Sequence, residues 1–468
     1  MSAKKSNVLL LVVDSLRRDH LSCYGYPTIT TPNIDEFSTS AVQFETAISP
    51  SGWTLPVFAS MLTGTYPSKN GTGQYLEHIP TVMEVLRTIG YKSAVVTDNF
   101  FVQPLSKQAD DLIYVTPENV PKMAFSRDAL SIIGMVGSAF QHGSLSNLRS
   151  FAANFLKNRL AAGWIERRPT NSPWFMMVHY DVHWPYDPPM SLRNRFVRPE
   201  LRSQVDGVRG DVYGIIADQD NLEGRLPVLT SLYDAQIAWV DECVGDLLKH
   251  LKSLGVLDDT IVIVTSDHGD LLGEHRLLHH EFVLYDPLIR VPLIIKFPQP
   301  PKESRKYLGL VQTNDILPTL IDYLNVDAPQ VTGQIQCKSV LKLISGADQR
   351  EFTISERADW SSTTSRRKIE NLEKTYPNYS WRRYAHELVA LRTTDYKYIR
   401  SSEGRDEMYN LEKDPEEASN LISVEPEREM ELKHKLETWR ASFERAPVGE
   451  DKEFDSTITK RLRSLGYI

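Results

Sequence analysis

Val8-Leu9-Leu10-Leu11-Val12-Val13, closing on Asp14, is the stretch that decides the fold. Six apolar residues with no polar alternation predict a strand buried on both faces, the environment of a parallel sheet. A carboxylate at the C-terminal end of such a strand stands at the edge where doubly wound sheets hold their ligands. Working outward, Thr81 and Glu84 form a capping box that opens a helix stopping at Gly90, and Lys92 to Val96 supplies another strand. Trp174 to Val178 and Thr260 to Thr265 add two more. The second follows apolar residues at helical spacing: Leu229, Tyr233, Ile237, Val240, Val244, Leu247 and Leu251. This alternation predicts an α/β protein with a three-layer α/β/α core and a mostly parallel sheet.

Residues 101–170 break the rhythm with mixed stretches such as Ser131 to Phe140 and Asn147 to Leu160, which read as a helical insertion placed to cover the site. From about 346 the pattern changes again. A basic, polar stretch from Arg350 to Arg383 leads to Leu388–Thr393 and Tyr396–Arg400, separated by a turn at Thr394 and Asp395 as in an antiparallel hairpin. A charged helix from about Pro426 to Phe443 follows. The expected organisation is a catalytic domain over 1–345 and a small α+β C-terminal subdomain over 346–468, with a small antiparallel sheet and a terminal helix.

The chain has 468 residues, 41% hydrophobic and 24% charged, enough for a large core. Lys plus Arg number 53 against 61 Asp plus Glu, a net charge of −8, which argues against a nucleic-acid partner held by a basic face. The run Val8–Val13 is far short of the ~20 residues that span a bilayer and lies too near the start for the flanks of a signal peptide. No membrane-spanning segment and a cytoplasmic location are therefore expected. Cys23, Cys243 and Cys337 have no ligand spacing, so they read as small buried residues in a reducing compartment.

Four segments put polar groups at strand ends. Asp14 is one; alone, it could equally be a turn or helix cap. In Ser51 to Gly64, Thr54 stands where a helix N-cap would stand, with Pro56 in the first turn. There a hydroxyl lies in the positive end of the helix dipole, which favours an alkoxide and an anionic ester. His179, Asp181 and His183 follow the third strand. The most specific block is Thr265-Ser266-Asp267-His268-Gly269-Asp270, continued by Gly273-Glu274-His275, His279-His280, Tyr285-Asp286 and Arg290-Val291-Pro292. An adjacent Asp and His with Gly next can present both side chains to one cation.

With these belong Cys23-Tyr24-Gly25-Tyr26, Thr31-Pro32-Asn33-Ile34-Asp35, Leu62-Thr63-Gly64, Tyr66-Pro67, Asp315-Ile316-Leu317-Pro318-Thr319, Tyr409-Asn410-Leu411, Asp414-Pro415 and the terminal Leu465-Gly466-Tyr467. Across nearly its full length the chain resembles the sulfatase family of the alkaline phosphatase superfamily. The resemblance implies an alkaline-phosphatase-like core and an ester hydrolase. It departs at one decisive place. In sulfatases the segment before Leu-Thr-Gly reads Cys or Ser, x, Pro, x, Arg, and its first residue becomes formylglycine. This chain has Thr54, Leu55, Pro56, Val57 and Phe58, and Ser15 replaces the second Asp of the strand end. No formylglycine is expected; the resemblance instead implies an unmodified threonine nucleophile, as in nucleotide-pyrophosphatase-like and lipoteichoic-acid-synthase-like relatives.

Carried over residue by residue, Asp14, Thr54, Asp267 and His268 match the family's metal site. One divalent ion is implied: Mn²⁺ or Zn²⁺ beside an imidazole, with Ca²⁺ or Mg²⁺ less comfortable there. Thr54, His183 and His280 match catalytic positions: nucleophile, proton donor to the leaving oxygen, and stabiliser of equatorial charge. Asn99 and His179 are candidates for substrate binding or for a supporting hydrogen-bond role. The implied reaction is hydrolysis of an anionic ester (sulfuric ester, phosphodiester or phosphonate monoester) through a covalent threonyl intermediate. A sulfated threonine lacks the elimination route open to formylglycine, which tilts the choice toward phosphorus. The rival readings are transfer of a phospho head group to a lipid or glycan, and a catalytically silent binding protein. The sequence leaves a homo-oligomer open.

Overall fold

In the computed structural model, which describes residues 5–71, 79–115, 147–169, 172–301, 305–357 and 363–446, every residue of β1 (Asn7–Asp14) is buried. The described residues contribute seven further strands to its sheet: β2 (Val42–Ile48), β3 (Lys92–Thr97), β4 (Asp111–Tyr114), β5 (Trp174–Asp181), β6 (Thr260–Thr265), β7 (Arg290–Lys296) and β8 (Lys306–Gln312). Their spatial order is β8-β2-β7-β6-β1-β5-β3-β4. β7 runs antiparallel to β2 and β6, and the other pairings are parallel. Because β1 is flanked by β5 and β6, Asp14 comes level with Asp181, and Val12 with Thr265. Three chain segments thus deliver their next residues to one carboxyl edge.

The pleat of β1 explains the layers. Leu9, Leu11 and Val13 face one core, with α4 (Leu222–Ser253) and α3 (Asn147–Glu166); Val8, Leu10 and Val12 face the other, with α1 (Thr54–Thr63), α2 (Val82–Arg87) and α5 (Ile316–Tyr323). The seven apolar residues expected on one helix all fall in α4 and in the first core. The Thr81–Glu84 capping box is formed.

Two expectations require correction. Within the stretch 101–170, the described segments 101–115 and 147–169 do not stand apart from the core: β4 is an edge strand of the main sheet, and α3 packs Ala161, Trp164 and Ile165 into the first core. Lys157 of α3 is fully buried, 2.6 Å from Asp98, which follows β3. Ser131–Phe140 and Leu465–Tyr467 lie outside the described residues. Among the cysteines, only Cys243 is buried; Cys23 and Cys337 are half-buried, and all three are free.

Beyond the main sheet, β9 (Thr353–Arg357), β10 (Leu388–Arg392), β11 (Tyr396–Ser401) and β12 (Glu407–Asn410) form an antiparallel sheet in that order. α6 (Pro426–Ala441) lays Leu432 and Leu436 in a core with Ile354, Leu391, Tyr398 and Met408. β9 lies inside the stretch read as polar, yet all five of its residues are buried. Its charges are buried with partners: Glu356 accepts from the Ser68 N–H at 2.9 Å, and Arg357 donates to the His386 carbonyl at 2.9 Å. No helix among the described residues is long and apolar enough to cross a membrane.

Candidate active site

Asp14, Asp267 and His268 each offer one ligand atom, and the three atoms lie within 4.8 Å of one another. The His268 Nδ1 donates to the Gly269 carbonyl at 2.8 Å, so Nε2 carries the lone pair. That lone pair faces Asp14 Oδ1 at 3.6 Å and Asp267 Oδ2 at 3.5 Å. A Cβ on Gly269 would meet the Pro287 carbonyl oxygen at 2.0 Å, so only glycine permits this approach. Asp267 Oδ1 accepts the backbone N–H groups of Ser15 (3.2 Å) and His268 (2.8 Å). Its Oδ2, buried, has no hydrogen-bond partner among the described residues.

Burial and the neighbouring Asp14 push the Asp267 carboxyl well above the usual carboxylate range. Burial acts the same way on Asp14, but His179, His183 and His268 overcome it and hold that carboxyl below the range. Burial also pushes His268 down, toward the neutral ring. Two close carboxylates, an orphaned oxygen and an imidazole lone pair aimed at one point form a donor set that fits a divalent cation.

Thr54 is fully buried, with Oγ1 3.4 Å from His268 Nε2. It is not the helix cap expected from its neighbours. Trp53, in extended conformation, holds that place, and Thr54 is the first helical residue, its hydroxyl turned to the site. The loop before it is pinned from two sides. The Ser49 hydroxyl donates to the Asp267 carbonyl at 2.5 Å. On the other side the Ser355 hydroxyl donates to the Ser49 carbonyl (2.5 Å), the Glu356 N–H to the Pro50 carbonyl (2.8 Å), and the Ser51 hydroxyl to the Glu356 carbonyl (2.6 Å).

Asn99 and His179 both converge on Asp14: the Asn99 amide donates to Oδ2 at 3.3 Å, and His179 Nε2 lies 3.6 Å from the same oxygen. Phe58, standing where sulfatases carry arginine, packs its ring 5.3 Å from that of His179. Ser15, at φ 62°, turns its hydroxyl back to Asp14 Oδ1 at 2.9 Å.

On the other side of His268 lie His183, His279 and His280, each with one ring nitrogen within 4.8 Å of the other two. The His280 ring lies 4.2 Å from that of His268. His183 donates from Nδ1 to the Trp184 carbonyl at 2.5 Å, and its backbone N–H donates to Asp181 at 2.7 Å. Burial pushes the His183 ring down, but the charges of Asp14, Asp181 and Asp270 outweigh it and raise its affinity for a proton. Asp270, fully buried, is pushed up to about 6 by that burial even though the Tyr186 hydroxyl donates to it at 2.5 Å. His279 and Asp270 stand in the quoted motif without an assigned role, and only the folded chain brings them to the site. The signal was their density beside Asp267-His268.

A family model described as Sulfatase matches residues 6–326, and one described as N-sulphoglucosamine sulphohydrolase, C-terminal, matches residues 273–442. The chain is similar to an N-acetylglucosamine-6-O-sulfatase of Bacteroides thetaiotaomicron, 23% identical over 502 residues covering 90% of this chain and 83% of the relative. It is also similar to a choline-sulfatase of Rhizobium meliloti, 24% identical, with 90% and 83% covered. Its fold matches that of a phosphonate monoester hydrolase of Agrobacterium radiobacter with a TM-score of 0.69 at 19% identity, covering 93% of this chain and 96% of that one.

Proposed function

Because the chain belongs to the sulfatase family of ester hydrolases, we propose that it cleaves sulfate or phosphate-type esters with Thr54 as an unmodified nucleophile. One observation carries this reading: the buried Thr54 Oγ1 faces His268 Nε2 at 3.4 Å, beside two convergent carboxylates. Asp14, Asp267, His268 and Thr54 would hold one divalent cation. Bound there, it would lower the hydroxyl pKa and neutralise the ester anion. The mixed oxygen and nitrogen donors favour Mn²⁺ or Zn²⁺ over Mg²⁺ or Ca²⁺.

Thr54 Oγ1, its proton released to water, attacks the phosphorus or sulfur in line, forming the threonyl ester as the bond to the alcohol oxygen breaks. His183 gives that oxygen a proton, and His280 faces the equatorial charge. Water then cleaves the ester, restoring the hydroxyl and releasing the acid. A sulfated threonine must wait for direct attack at sulfur or carbon, so phosphodiesters and phosphonate monoesters are the preferred class. The phosphonate monoester hydrolase with the same fold supports that choice, while relatives named for N-acetylglucosamine-6-O-sulfate and choline sulfate keep sulfuric esters in the range. The test is turnover of matched aryl sulfate, phosphate, phosphodiester and phosphonate esters, with intact-mass analysis during slow turnover. An adduct on Thr54, strongest with the phosphorus esters, is expected. No adduct, with full activity in Thr54→Ala, would overturn the nucleophile assignment.

A further inference from the structure

We propose that the cavity between the 275–285 segment and the C-terminal sheet is an effector site for a small organic acid, one that joins an apolar body to a carboxylate. The space measures about 250 Å³, just below the ~300–1,000 Å³ typical of sites for drug-sized ligands, so the occupant is small. Its floor is apolar: Leu277, Leu284, Leu388 of β10 and Ile399 of β11 line it, each at most 4% exposed. Arg383 and Arg405, both exposed, stand at its rim. An apolar floor beneath a cationic rim takes a ligand with its hydrocarbon inward and its negative charge outward.

The charges on the wall favour an anion. Among the described residues no carboxylate lies within ion-pair distance of Arg383, whose guanidinium rests over the Tyr379 and Tyr384 rings at 4.7 and 4.8 Å. Its Nη2 donates to the Tyr379 hydroxyl, which leaves further N–H groups of the planar fork for a carboxylate. Arg405 donates through Nη2 to His386 Nδ1 at 2.8 Å and to Glu403 at 2.6 Å. Glu407, the carboxylate among the lining residues, is already engaged: its Oε2 accepts the Tyr285 and Tyr409 hydroxyls at 2.9 and 2.7 Å. Burial pushes the His275 and His386 rings toward their neutral forms, so the guanidiniums set the sign of the rim.

The segment that walls the cavity also walls the chemistry. Leu277, Val283 and Leu284 face the cavity, while His279 and His280, between them in sequence, gather beside His268. None of the residues assigned to metal binding or to the reaction lines the cavity. The loop before Thr54 rests on the same segment: a Cβ on Gly52 would meet the His280 and Val283 carbonyl oxygens at 3.4 Å and the Leu284 side chain at 3.7 Å. A ligand against Val283 and Leu284 therefore acts on the seat of Thr54 without touching the ester, two distinct sites joined by one shared element. The effect on turnover rests on the Thr54 reading; the binding does not.

The probe is hydrocinnamate, compared with hydrocinnamyl alcohol, which lacks the charge, and inorganic phosphate, which lacks the apolar body. Binding is measured by isothermal titration calorimetry, and turnover of an aryl phosphodiester is followed at saturating ester. Expected are binding of the acid at least about tenfold tighter than that of the alcohol, no displacement by equimolar phosphate, and at least about a twofold change in turnover. The Arg383→Gln/Arg405→Gln variant should lose both the advantage of the acid over the alcohol and the response of turnover to it. Thermal melting checks that this variant folds, and Arg383→Gln alone, held to the same outcome, replaces it if it does not. Equal binding of the alcohol, undiminished binding in the folded arginine variant, or an effect on turnover that vanishes at saturating ester overturns the effector site. The binding comparison needs no turnover, so a failed Thr54 reading and a failed cavity are told apart.

Discussion

The imidazole of His268 is tied at Nδ1 to the carbonyl of its own neighbour Gly269, 2.8 Å away, and this single bond decides which nitrogen meets Thr54. Thr54→Ala removes the hydroxyl that faces it. The chemical step should fall by many orders of magnitude, while Thr54→Ser keeps measurable turnover. Since Thr54 follows the cap instead of serving as it, the stability change should stay near the ~1 kcal/mol of a lost buried methyl group. Rates and urea midpoints of both variants check this; a wild-type rate in Thr54→Ala would redirect attention to direct attack by water.

Asp267→Asn keeps an acceptor for the Ser15 and His268 N–H groups and discards a charge. The fold should survive, and the affinity of the Asp14–Asp267–His268 site should fall by at least about 100-fold, with activity falling alongside. Equilibrium dialysis and turnover measured on one preparation would show it, and unchanged occupancy would contradict the ligand set.

For His183→Ala the loss should depend on the substrate. Esters of weakly acidic alcohols need help at the leaving oxygen and should slow most; nitrophenyl esters should slow least. A plot of rate against leaving-group pKa should steepen in the variant. A parallel shift would place His183 elsewhere in the reaction.

His386 gives a pH test away from the chemistry, lining a cavity of about 250 Å³ with Tyr285, Arg383 and Arg405. Burial, then Arg357 and Arg405, pushes its ring down to about 4, and its Nδ1 accepts from Arg405 at 2.8 Å. In the unfolded chain the ring takes a proton near its ordinary value of about 6.5, so between there and 4 the unfolded state binds more protons. Its contribution to stability is complete above that window and is lost as pH falls through it. The urea midpoint of the wild type should therefore drop more between pH 7 and 4.5 than that of His386→Gln, and equal drops would refute the assignment.

What could be read in advance was whatever repeats or clusters locally. The unbroken β1 run, the helical spacing from Leu229 to Leu251 and the dense Asp267-His268 block each declare their setting. β4 did not, because an edge strand of four residues, Asp111–Tyr114, half exposed, lacks a continuous apolar run. β9 did not either: Thr-Ile-Ser-Glu-Arg looks like surface until Ser68 and His386 are seen to satisfy its charges. The convergence of His279 with His183 depends on a left-handed backbone angle that no spacing rule reports for histidine.

The serine-rich loop before Thr54 is hydrogen-bonded to β9 through Ser355 and Glu356, more than 300 positions further along the sequence. The site is therefore seated only once β9 has been made. A nascent chain that has emerged only as far as Ile344 has every side chain proposed for the chemistry, yet lacks the splint that seats the attacking oxygen, so the loop before Thr54 stays unsplinted until β9 has followed.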